Sequence, residues 1–394
     1  MFSVPFLTSL TNHLGTTPID DASDSLSCLI SAFLFIIASI LTSAKTYVGS
    51  AMECWVPQTY SGEWGEFAEN YCFLKDTYWY PSKELMSDIP EYHKERHRLS
   101  YYQWSSMYLA MAGIAFMIPK FLWKMSQSAT DMPLIYFCDT TNEIRTESEE
   151  KRKDKVSEMA KFMRLKITTV HAPRSISNIR MYFVYAVIKV LYLFNALAQF
   201  VILGYFLGQK TDLFWGWTLF LNLLNGVTWE TTGLFPRLTF CDFQIREMAG
   251  NNRDETVQCV IGINEFNEKI FLFFWFWLVF LFFATGIAHI YNAIQIMKPY
   301  FINSLLHSIR NHKDRNQKDM FRKFGDNYLT LDGKIILSFI KSQSDLVASE
   351  VAVEMYKNFE ALEQSQLNCA NAQSPVSFIK DDLESQILMR NGKH

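Results

Sequence analysis

Long apolar runs alternate with charged stretches along this 394-residue chain, and the pattern predicts membrane-spanning helices. A helix needs about 20 apolar residues to cross roughly 30 Å of hydrocarbon. Four runs are long enough, at residues 26–45, 101–124, 181–208 and 269–293. A fifth run, residues 213–224, is too short to span and predicts either an extension of the third helix or a segment that dips into the membrane surface. The expected fold is therefore an all-α membrane protein with four transmembrane helices.

The rest of the chain falls into five more polar segments, and two of them predict helices outside the membrane. The five segments are residues 1–25, 46–100, 125–180, 209–268 and 294–394. The third segment mixes acidic and basic residues around position 150, which is typical of a solvated helix with internal ion pairs. In the last segment, apolar residues at helical spacing follow a predicted turn at Leu331–Lys334, and they predict a small helical domain. The spaced residues are Ile335, Ile336, Phe339, Ile340, Val347, Val351, Met355 and Phe359.

Polar and unusual residues inside the spans have more than one interpretation. The Ser and Thr residues of the first span can pack against another helix or line water, and close packing is the commoner case. Asp24 or Ser25 is expected to cap that span. Pro119 predicts a kink in the second span, because proline removes a backbone donor. Lys189 of the third span is predicted to snorkel to the interface or to pack in the bundle, with a place on the conduction path as the alternative.

Four of the seven cysteines lie in the two polar segments that share one side of the predicted topology. Cys54 and Cys72 enclose 17 residues, and so do Cys241 and Cys259. Confinement to one side fits an oxidising exterior and predicts two disulfides. The spacing leaves open whether the bonds close each segment on itself or join the two segments. The remaining cysteines are expected to be free thiols, and they are Cys28, Cys138 and Cys369.

The distribution of charge predicts the orientation of the chain. Residues 125–180 and 297–394 hold 23 Lys and Arg, against 9 in residues 48–100 and 209–268. The positive-inside rule therefore predicts cytoplasmic termini and two outer loops. These outer loops carry 17 acidic and 9 basic residues, so a pore mouth ringed by them would attract cations. The sequence has no Asn-x-Ser/Thr sequon, which leaves the outer face free to press against another protein.

Motifs for catalysis or cofactor binding are missing from the sequence. There is no glycine-rich phosphate loop, no Gly-x-Ser-x-Gly elbow and no His-Glu-x-x-His pair. His93 and His97 lie four residues apart, but two ligands do not make a metal site, and a pH-sensitive basic collar is the better interpretation. We therefore expect no enzyme activity, no catalytic residue, no metal, no cofactor and no nucleic-acid partner.

Several motifs resemble those of the innexins, the invertebrate gap-junction proteins. The most specific one stands at the mouth of the second span, and the match covers roughly residues 1–340. Phe73 follows Cys72 where the family often has tryptophan, and the last 50 or so residues match no family pattern. The matching motifs are Tyr101-Tyr102-Gln103-Trp104, Cys54-Trp55-Val56-Pro57, Tyr71-Cys72, Thr77-Tyr78, Phe235-Pro236, Cys241-Asp242-Phe243, Cys259-Val260-Ile261, Asn264 and Asn267-Glu268-Lys269.

The resemblance implies a four-helix subunit whose outer loops are stapled by disulfides and have a small α/β content. It implies a homo-oligomeric ring of six to eight subunits in membrane lipid, with eight favoured and other innexin subunits admitted, around a wide aqueous pore. Two rings in apposed cells would dock through the outer loops. The disulfides of such relatives join loop to loop, which implies the pairs Cys54–Cys259 and Cys72–Cys241 here.

The resemblance also implies which residues line the pore. The N-terminal segment would fold into the lumen as a funnel with Met1 to Val4 at the constriction, while Met52 and Glu53 would line the outer vestibule. The expected function is a plasma-membrane gap-junction channel that passes ions and small metabolites between cells. The alternatives are an undocked hemichannel that releases small molecules and a four-span adhesion or scaffold protein without a pore. The four constriction residues are Met1, Phe2, Ser3 and Val4.

Overall fold

The part of the chain that the structure describes contains four helices that are long and apolar enough to cross a membrane. The computed structural model describes residues 21–57, 62–80, 98–129, 134–169, 180–208, 212–227, 233–246, 250, 252–297, 299–307 and 315–373. The candidate spans are Ser23–Tyr47, Tyr101–Gln127, Met181–Phe206 and Ile263–Met297. The predicted four-span, mostly helical fold is confirmed.

In the described residues, the secondary structure consists of the four spans, several shorter helices and five strands. The helices are α1 (Ser31–Tyr47), α2 (Gly62–Leu74), α3 (Tyr101–Ala129), α4 (Leu134–Thr146), α5 (Glu149–Thr169), α6 (Arg180–Phe206), α7 (Trp215–Leu224), α8 (Ile263–Met297), α9 (Pro299–Leu305), α10 (Arg315–Lys323), α11 (Thr330–Gln343) and α12 (Asp345–Gln373). The strands are β1 (Glu53–Trp55), β2 (Thr77–Tyr78), β3 (Arg98–Leu99), β4 (Leu238–Arg246) and β5 (Asn252–Val260). The first span enters α1 through a helical turn at Ala22–Ser25 and a π-helical turn at Leu26–Ile30.

The described residues belong to two compact units. The first unit combines residues 21–123 with 188–289, and it holds most of each span together with all five strands. The second unit combines residues 124–187 with 290–373, and its described elements are helical.

Aromatic side chains fill the core between the spans of the first unit. Phe35 of α1 stacks on Phe274 of α8 with ring centroids 3.8 Å apart, and on Phe116 of α3 at 5.5 Å. All three rings are buried. Because lipid is as apolar as these rings, their contribution comes from close van der Waals packing rather than from exclusion of water.

Small and hydroxyl residues bring the first and second spans close together. Ser39 Oγ donates a hydrogen bond to the backbone oxygen of Ser106 in α3 at 2.7 Å. At Gly113 of α3, an added Cβ would lie only 3.2 Å from the backbone oxygen of Ala32. Of the two interpretations of the polar residues in the first span, close packing is therefore the one that Ser39 follows.

The carbonyl freed by Pro119 finds a partner on another span. The proline nitrogen has no hydrogen, so the oxygen of Ala115, four residues earlier, loses its helical donor. Asn195 of α6 replaces it, because its Nδ2 donates to that oxygen at 3.2 Å. An unsatisfied carbonyl is costly at membrane depth, and neighbouring helices commonly satisfy it. The helix α3 runs on through Pro119 to Ala129, and a kink there stays a prediction.

The short apolar run at residues 213–224 forms a separate helix, α7. The third span ends at Phe206, and Gly208 then adopts a left-handed φ of 76°, which is typical of a helix end. The interpretation as an extension of the third helix is therefore wrong. The run packs on the fourth span instead, where a Cβ added to Gly216 would lie 2.4 Å from Cγ of Trp275. The indole Nε1 of Trp275 also donates to the backbone oxygen of Leu213 at 3.1 Å.

The second unit is built on the amphipathic helices predicted for the C-terminal segment. All eight apolar residues that were expected to share a helical face are buried on α11 and α12, so that prediction is confirmed. The predicted turn at Leu331–Lys334 is wrong, because α11 already begins at Thr330. Tertiary contacts explain the difference: Asp332 accepts a hydrogen bond from the backbone nitrogen of Tyr182 at 2.9 Å, and Gly333 makes room for Ile167 of α5.

Ion pairs stabilise the charged helix α5. Lys153 pairs with Glu149 one turn away, at 3.3 Å, and both side chains are exposed. Arg152 instead reaches Glu350 of α12, at 2.5 Å. The predicted helix with internal ion pairs is confirmed, and one of its basic residues also binds a neighbouring helix. Exposed pairs of this kind contribute only about 0.3–0.5 kcal/mol each.

Candidate functional site

The two cysteine-bearing segments fold together into one antiparallel sheet. The strand order is β1-β5-β4-β2-β3, so strands from residues 46–100 flank the hairpin that β4 and β5 form. In this hairpin nine residues of β4 pair with nine of β5. The helix α2 packs beside the sheet and contributes Ala68 and Cys72 to its core. We call α2 and the five strands together the loop domain.

Two disulfides join one segment of the loop domain to the other. Cys54 of β1 lies opposite Cys259 of β5 in the strand register and is bonded to it, with Cα atoms 4.0 Å apart. Cys72 of α2 is bonded to Cys241 of β4, with Cα atoms 5.8 Å apart. These are the two pairs that the family resemblance implies. Each bond connects residues far apart in sequence, with separations of 205 and 169 residues.

Alternation along the strands turns the bonded cysteines inward. Successive side chains of a strand point to opposite faces, so alternate residues enter the core at Cys241 and Phe243 of β4 and at Val257 and Cys259 of β5. Gln258, between two inward residues of β5, is exposed. On α2 the two core residues are four positions apart, which places them on the same helical face. The buried residues that these elements supply are Cys241, Phe243, Val257, Cys259, Ala68 and Cys72.

The four residues Tyr101–Trp104 connect the second span to the loop domain. Tyr102 is 1% exposed and packs in the core of the loop domain. Gln103 Nε2 donates to the backbone oxygen of Phe73 at 2.6 Å. This contact satisfies a carbonyl that the C-terminal end of α2 would otherwise leave open. Trp104 points outward and is 56% exposed, as expected for an aromatic side chain at a membrane interface.

The entry to the fourth span is fixed in a similar way. Asn264 Nδ2 donates to the backbone oxygen of Pro236 at 2.7 Å, and Arg237 pairs with Glu268 at 3.2 Å. The ring of Phe235 meets that of Tyr101 edge-on, with centroids 5.7 Å apart. The residues just before β4 therefore contact the starts of both the second and the fourth span.

Asp242 is a hydrogen-bonding centre on the face of β4 that points away from the core. Its Oδ1 accepts from the hydroxyl of Tyr78 at 2.8 Å and from Oγ1 of Thr256 at 2.7 Å. Its backbone oxygen accepts from Nζ of Lys75 at 2.8 Å. Burial, together with the hydrogen bond to Asp242, raises the pKa of Tyr78, so the phenol stays protonated and remains a donor. The carboxylate thus links β4 to β2 and to β5.

Comparison with known proteins agrees with this arrangement. A model of the innexin family matches residues 20–359 of the chain. The chain belongs to the innexin family. It is 78% identical over 359 residues to Innexin-8 of Caenorhabditis elegans, which covers 91% of this chain and 94% of that protein. It is also 34% identical over 381 residues to Innexin-3 (91% and 88% covered) and 31% identical over 361 residues to Innexin unc-9 (86% and 92% covered), both of the same organism.

Family membership gives this innexin its general role. Innexins are gap-junction channel proteins, so the chain is a multi-pass membrane protein of gap junctions. Four spans, two disulfides and a small sheet are the features of this innexin that fit that role.

A buried charge cluster lies at the opposite end of the first span from the loop domain. Lys189 of the innexin places its Nζ 2.6 Å from an oxygen of Asp21 and 2.5 Å from an oxygen of Asp24. The side chains of Lys189 and Asp24 are 8% and 6% exposed. Of the interpretations of Lys189, packing in the bundle is the one that it follows, because its ammonium meets two carboxylates there. Asp24 binds this lysine and lies within the first helical turn, so it does not cap the span as expected.

The outward surface of the loop domain carries exposed aromatic residues. Trp55 of β1 is 73% exposed and Phe67 of α2 is 52% exposed. Trp55 and Pro57 line a shallow groove together with Trp64 and the hairpin. Charge is present as well, since Glu53 is exposed and accepts a hydrogen bond from Ser50 Oγ at 2.8 Å.

The two residues predicted to line the outer vestibule differ in exposure. Met52 is 5% exposed and packs in the core of the loop domain, whereas Glu53 is exposed. Their place in a pore wall stays a prediction. The predicted constriction at residues 1–4 and the histidines at 93 and 97 lie outside the described residues. Sulfur atoms of three cysteines lie within 4.8 Å of one another, but all three are in disulfides and have no thiolate to offer a metal.

Sequence reasoning missed several residues that matter here. It did not pair Lys189 with carboxylates of the first span, and it gave Asp242 and Asn195 no role. Asp21 and Asp24 could have indicated the pairing, because acidic residues directly before an apolar run cost free energy in the membrane unless a basic residue pairs with them. Asn195 carries a similar signal, since an amide inside a span needs a hydrogen-bond partner.

Proposed function

We propose that this innexin is a subunit of a large-pore channel that passes ions and small metabolites between adjacent cells. The observation that supports this most is the loop domain, in which two disulfides and one sheet join both loops into a single body. A body fixed in this way presents a constant surface, and surfaces that change little on binding are typical of preorganised interfaces. Docking of two rings requires such a surface on every subunit.

Both termini would lie in the cytoplasm and the loop domain outside the cell. The excess of Lys and Arg in residues 125–180 and 297–394 supports this orientation. The cysteines support it as well, because the four in the loop domain are oxidised while Cys28 and Cys138 are not in disulfides. Burial raises the pKa of Cys138 to about 12, so its thiol stays protonated and unreactive.

The subunits would form a ring, with eight copies favoured, and other innexins could share it. Two rings in apposed membranes would meet through the loop domains, and the exposed aromatic residues Trp55 and Phe67 are candidates for contacts between copies. A pore of that width would select by diameter and wall charge rather than by dehydrating ions. The outer loops carry more acidic than basic residues, which favours cations at the mouth.

The N-terminal segment would form the narrowest part of the pore, with Met1, Phe2, Ser3 and Val4 at the constriction. Deleting residues 2–18 should then change the unitary conductance or the gating of the channel, because the constriction sets both. Recordings from single channels test this. Unchanged conductance together with unchanged gating would exclude the funnel.

Electrical coupling between paired cells tests the proposed function. Cells without other gap-junction proteins, each expressing this innexin, should show junctional current and dye transfer. An undocked hemichannel would give dye uptake by single cells and no junctional current. An adhesion or scaffold protein would give no current even when the purified protein is placed in a bilayer. Either of these results would replace the proposal with the corresponding alternative.

A further inference from the structure

The cluster of Lys189, Asp21 and Asp24 connects the beginning of the first span to the third span. Asp21 directly precedes the first helical turn and Asp24 lies within it, whereas Lys189 is in α6. The lysine stands eight residues after Met181, which puts it about 12 Å along the third span. Two short charge-assisted contacts from one ammonium hold the beginning of the first span close to the third span.

The charges of this cluster depend on one another. With all three groups ionised, two carboxylates face one ammonium, so removal of the lysine would leave two like charges in a buried site. Removing one member of a buried ion pair is strongly destabilising for this reason, while replacing the whole set by neutral groups is often tolerated. This difference makes it possible to separate loss of folding from loss of the connection.

His289 of α8 is another titratable group near the cluster, where it interacts electrostatically with Lys189 and Asp21. All of these groups belong to the same compact unit.

We propose that Lys189 is a positioning residue of the channel, which anchors the root of the N-terminal segment to the third span and so fixes where that segment enters the pore. The proposal rests on the proposed channel function, in which the N-terminal segment forms the constriction. A segment whose last residues are held by two ion pairs has few directions in which to leave the bundle. Loss of the anchor should therefore change the balance between open and closed channels without requiring a change in the pore wall itself.

The test compares three full-length variants in paired cells. Lys189→Met removes the ammonium, Lys189→Arg keeps a positive charge with five N–H donors, and the triple variant D21N/D24N/K189M removes all three charges. Lys189→Met should shift the ratio of open to closed channels about tenfold or more, and Lys189→Arg should stay closer to the wild type. The triple variant should regain wild-type surface expression while it keeps the altered ratio, because it has no carboxylates in the cluster that could repel each other.

A second background shows whether Lys189 acts through the N-terminal segment. In channels that lack residues 2–18, Lys189→Met should have no further effect on the open-to-closed ratio. Lys120→Met is the matched control, since Lys120 is a similarly buried lysine on the second span. Lys120→Met should change the open-to-closed ratio by the same factor in full-length channels and in channels that lack residues 2–18. An equal shift by Lys189→Met in both backgrounds, or a wild-type ratio in the full-length variant, would overturn the proposal.

Hydrogen exchange of the purified protein tests the anchor without a current. The amides of residues 21–30 should exchange faster in Lys189→Met and in the triple variant than in the wild type. Unchanged exchange in both variants would overturn the proposal. Faster exchange in variants of a protein that gives no junctional current would instead refute the proposed channel function and leave the cluster as a structural contact only.

Discussion

Removal of the disulfide between Cys72 and Cys241 should uncouple cells while leaving the protein in the membrane. The bond encloses 169 residues, and the chain-entropy relation gives about 5 kcal/mol for an unrestrained loop of that length. The spans already hold both ends of each loop, so the unbonded state is less free than that relation assumes. We therefore expect about 2–4 kcal/mol, which changes the ratio of folded to unfolded loop domain by roughly 30- to 700-fold.

The variant should carry alanine at both positions. A single Cys72→Ser would also bury a hydroxyl and a thiol at sites that are 0% exposed, which adds a cost unrelated to the bond. Loss of coupling is measured as the junctional conductance of paired cells, normalised to surface expression. Faster cleavage of the outer loops by added protease would show that the loop domain is the part of the protein that has become less stable. Cys138→Ala is the matched control, because it removes a buried cysteine that is not in a disulfide and should leave coupling intact.

Wild-type coupling of the C72A/C241A variant at equal surface expression would refute this reasoning. The result would mean that the sheet and the Cys54–Cys259 bond are sufficient to hold the docking surface. Equal loss of coupling in the Cys138→Ala control would also count against it, since the loss would then follow from any lost cysteine.

Two further predictions concern single contacts. Asn195→Leu should destabilise the purified protein by about 0.6–1.7 kcal/mol, because the backbone oxygen of Ala115 loses its hydrogen-bond donor. In a Pro119→Ala background, the backbone N–H of residue 119 can donate to that oxygen again. Asn195→Leu should then have almost no effect on thermal unfolding. Burial raises the pKa of Asp332 above 3.8, so the folded state holds this proton more tightly than the unfolded chain and stability falls as the pH rises through the raised value. Asp332→Asn should therefore gain thermal stability over the wild type as the pH is increased, and a difference independent of pH would contradict the assignment.

The elements that depend on local pattern were predictable from the sequence. Four spans follow from run length alone, because few other structures bury 20 consecutive apolar residues. The amphipathic helices α11 and α12 follow from the spacing of their apolar residues. The turn predicted at Asp332-Gly333 does not form, for a physical reason: such residues favour turns in isolation, but here a distant backbone donor and a neighbouring helix keep them helical.

Contacts between residues far apart in sequence could not be predicted in the same way. Lys189 fits snorkelling, packing and pairing equally well until its neighbours on the first span are known. The same holds for Asn195, whose partner is a backbone oxygen freed by a proline on another helix. The disulfide pairing came from family resemblance, since four cysteines allow three pairings and their spacing favours none.

The equal spacing of the two cysteine pairs hides two different local structures. Between Cys54 and Cys72 the chain leaves β1 and forms the helix α2, whereas between Cys241 and Cys259 it forms the β4–β5 hairpin. The two loops are therefore not copies of one motif, although each encloses 17 residues between its cysteines. They complement each other instead: the second loop provides two neighbouring inner strands, and the first provides the strands on either side of them and the covering helix. A domain divided in this way cannot form from either loop alone, so the surface proposed for docking exists only when both loops of a subunit are folded together.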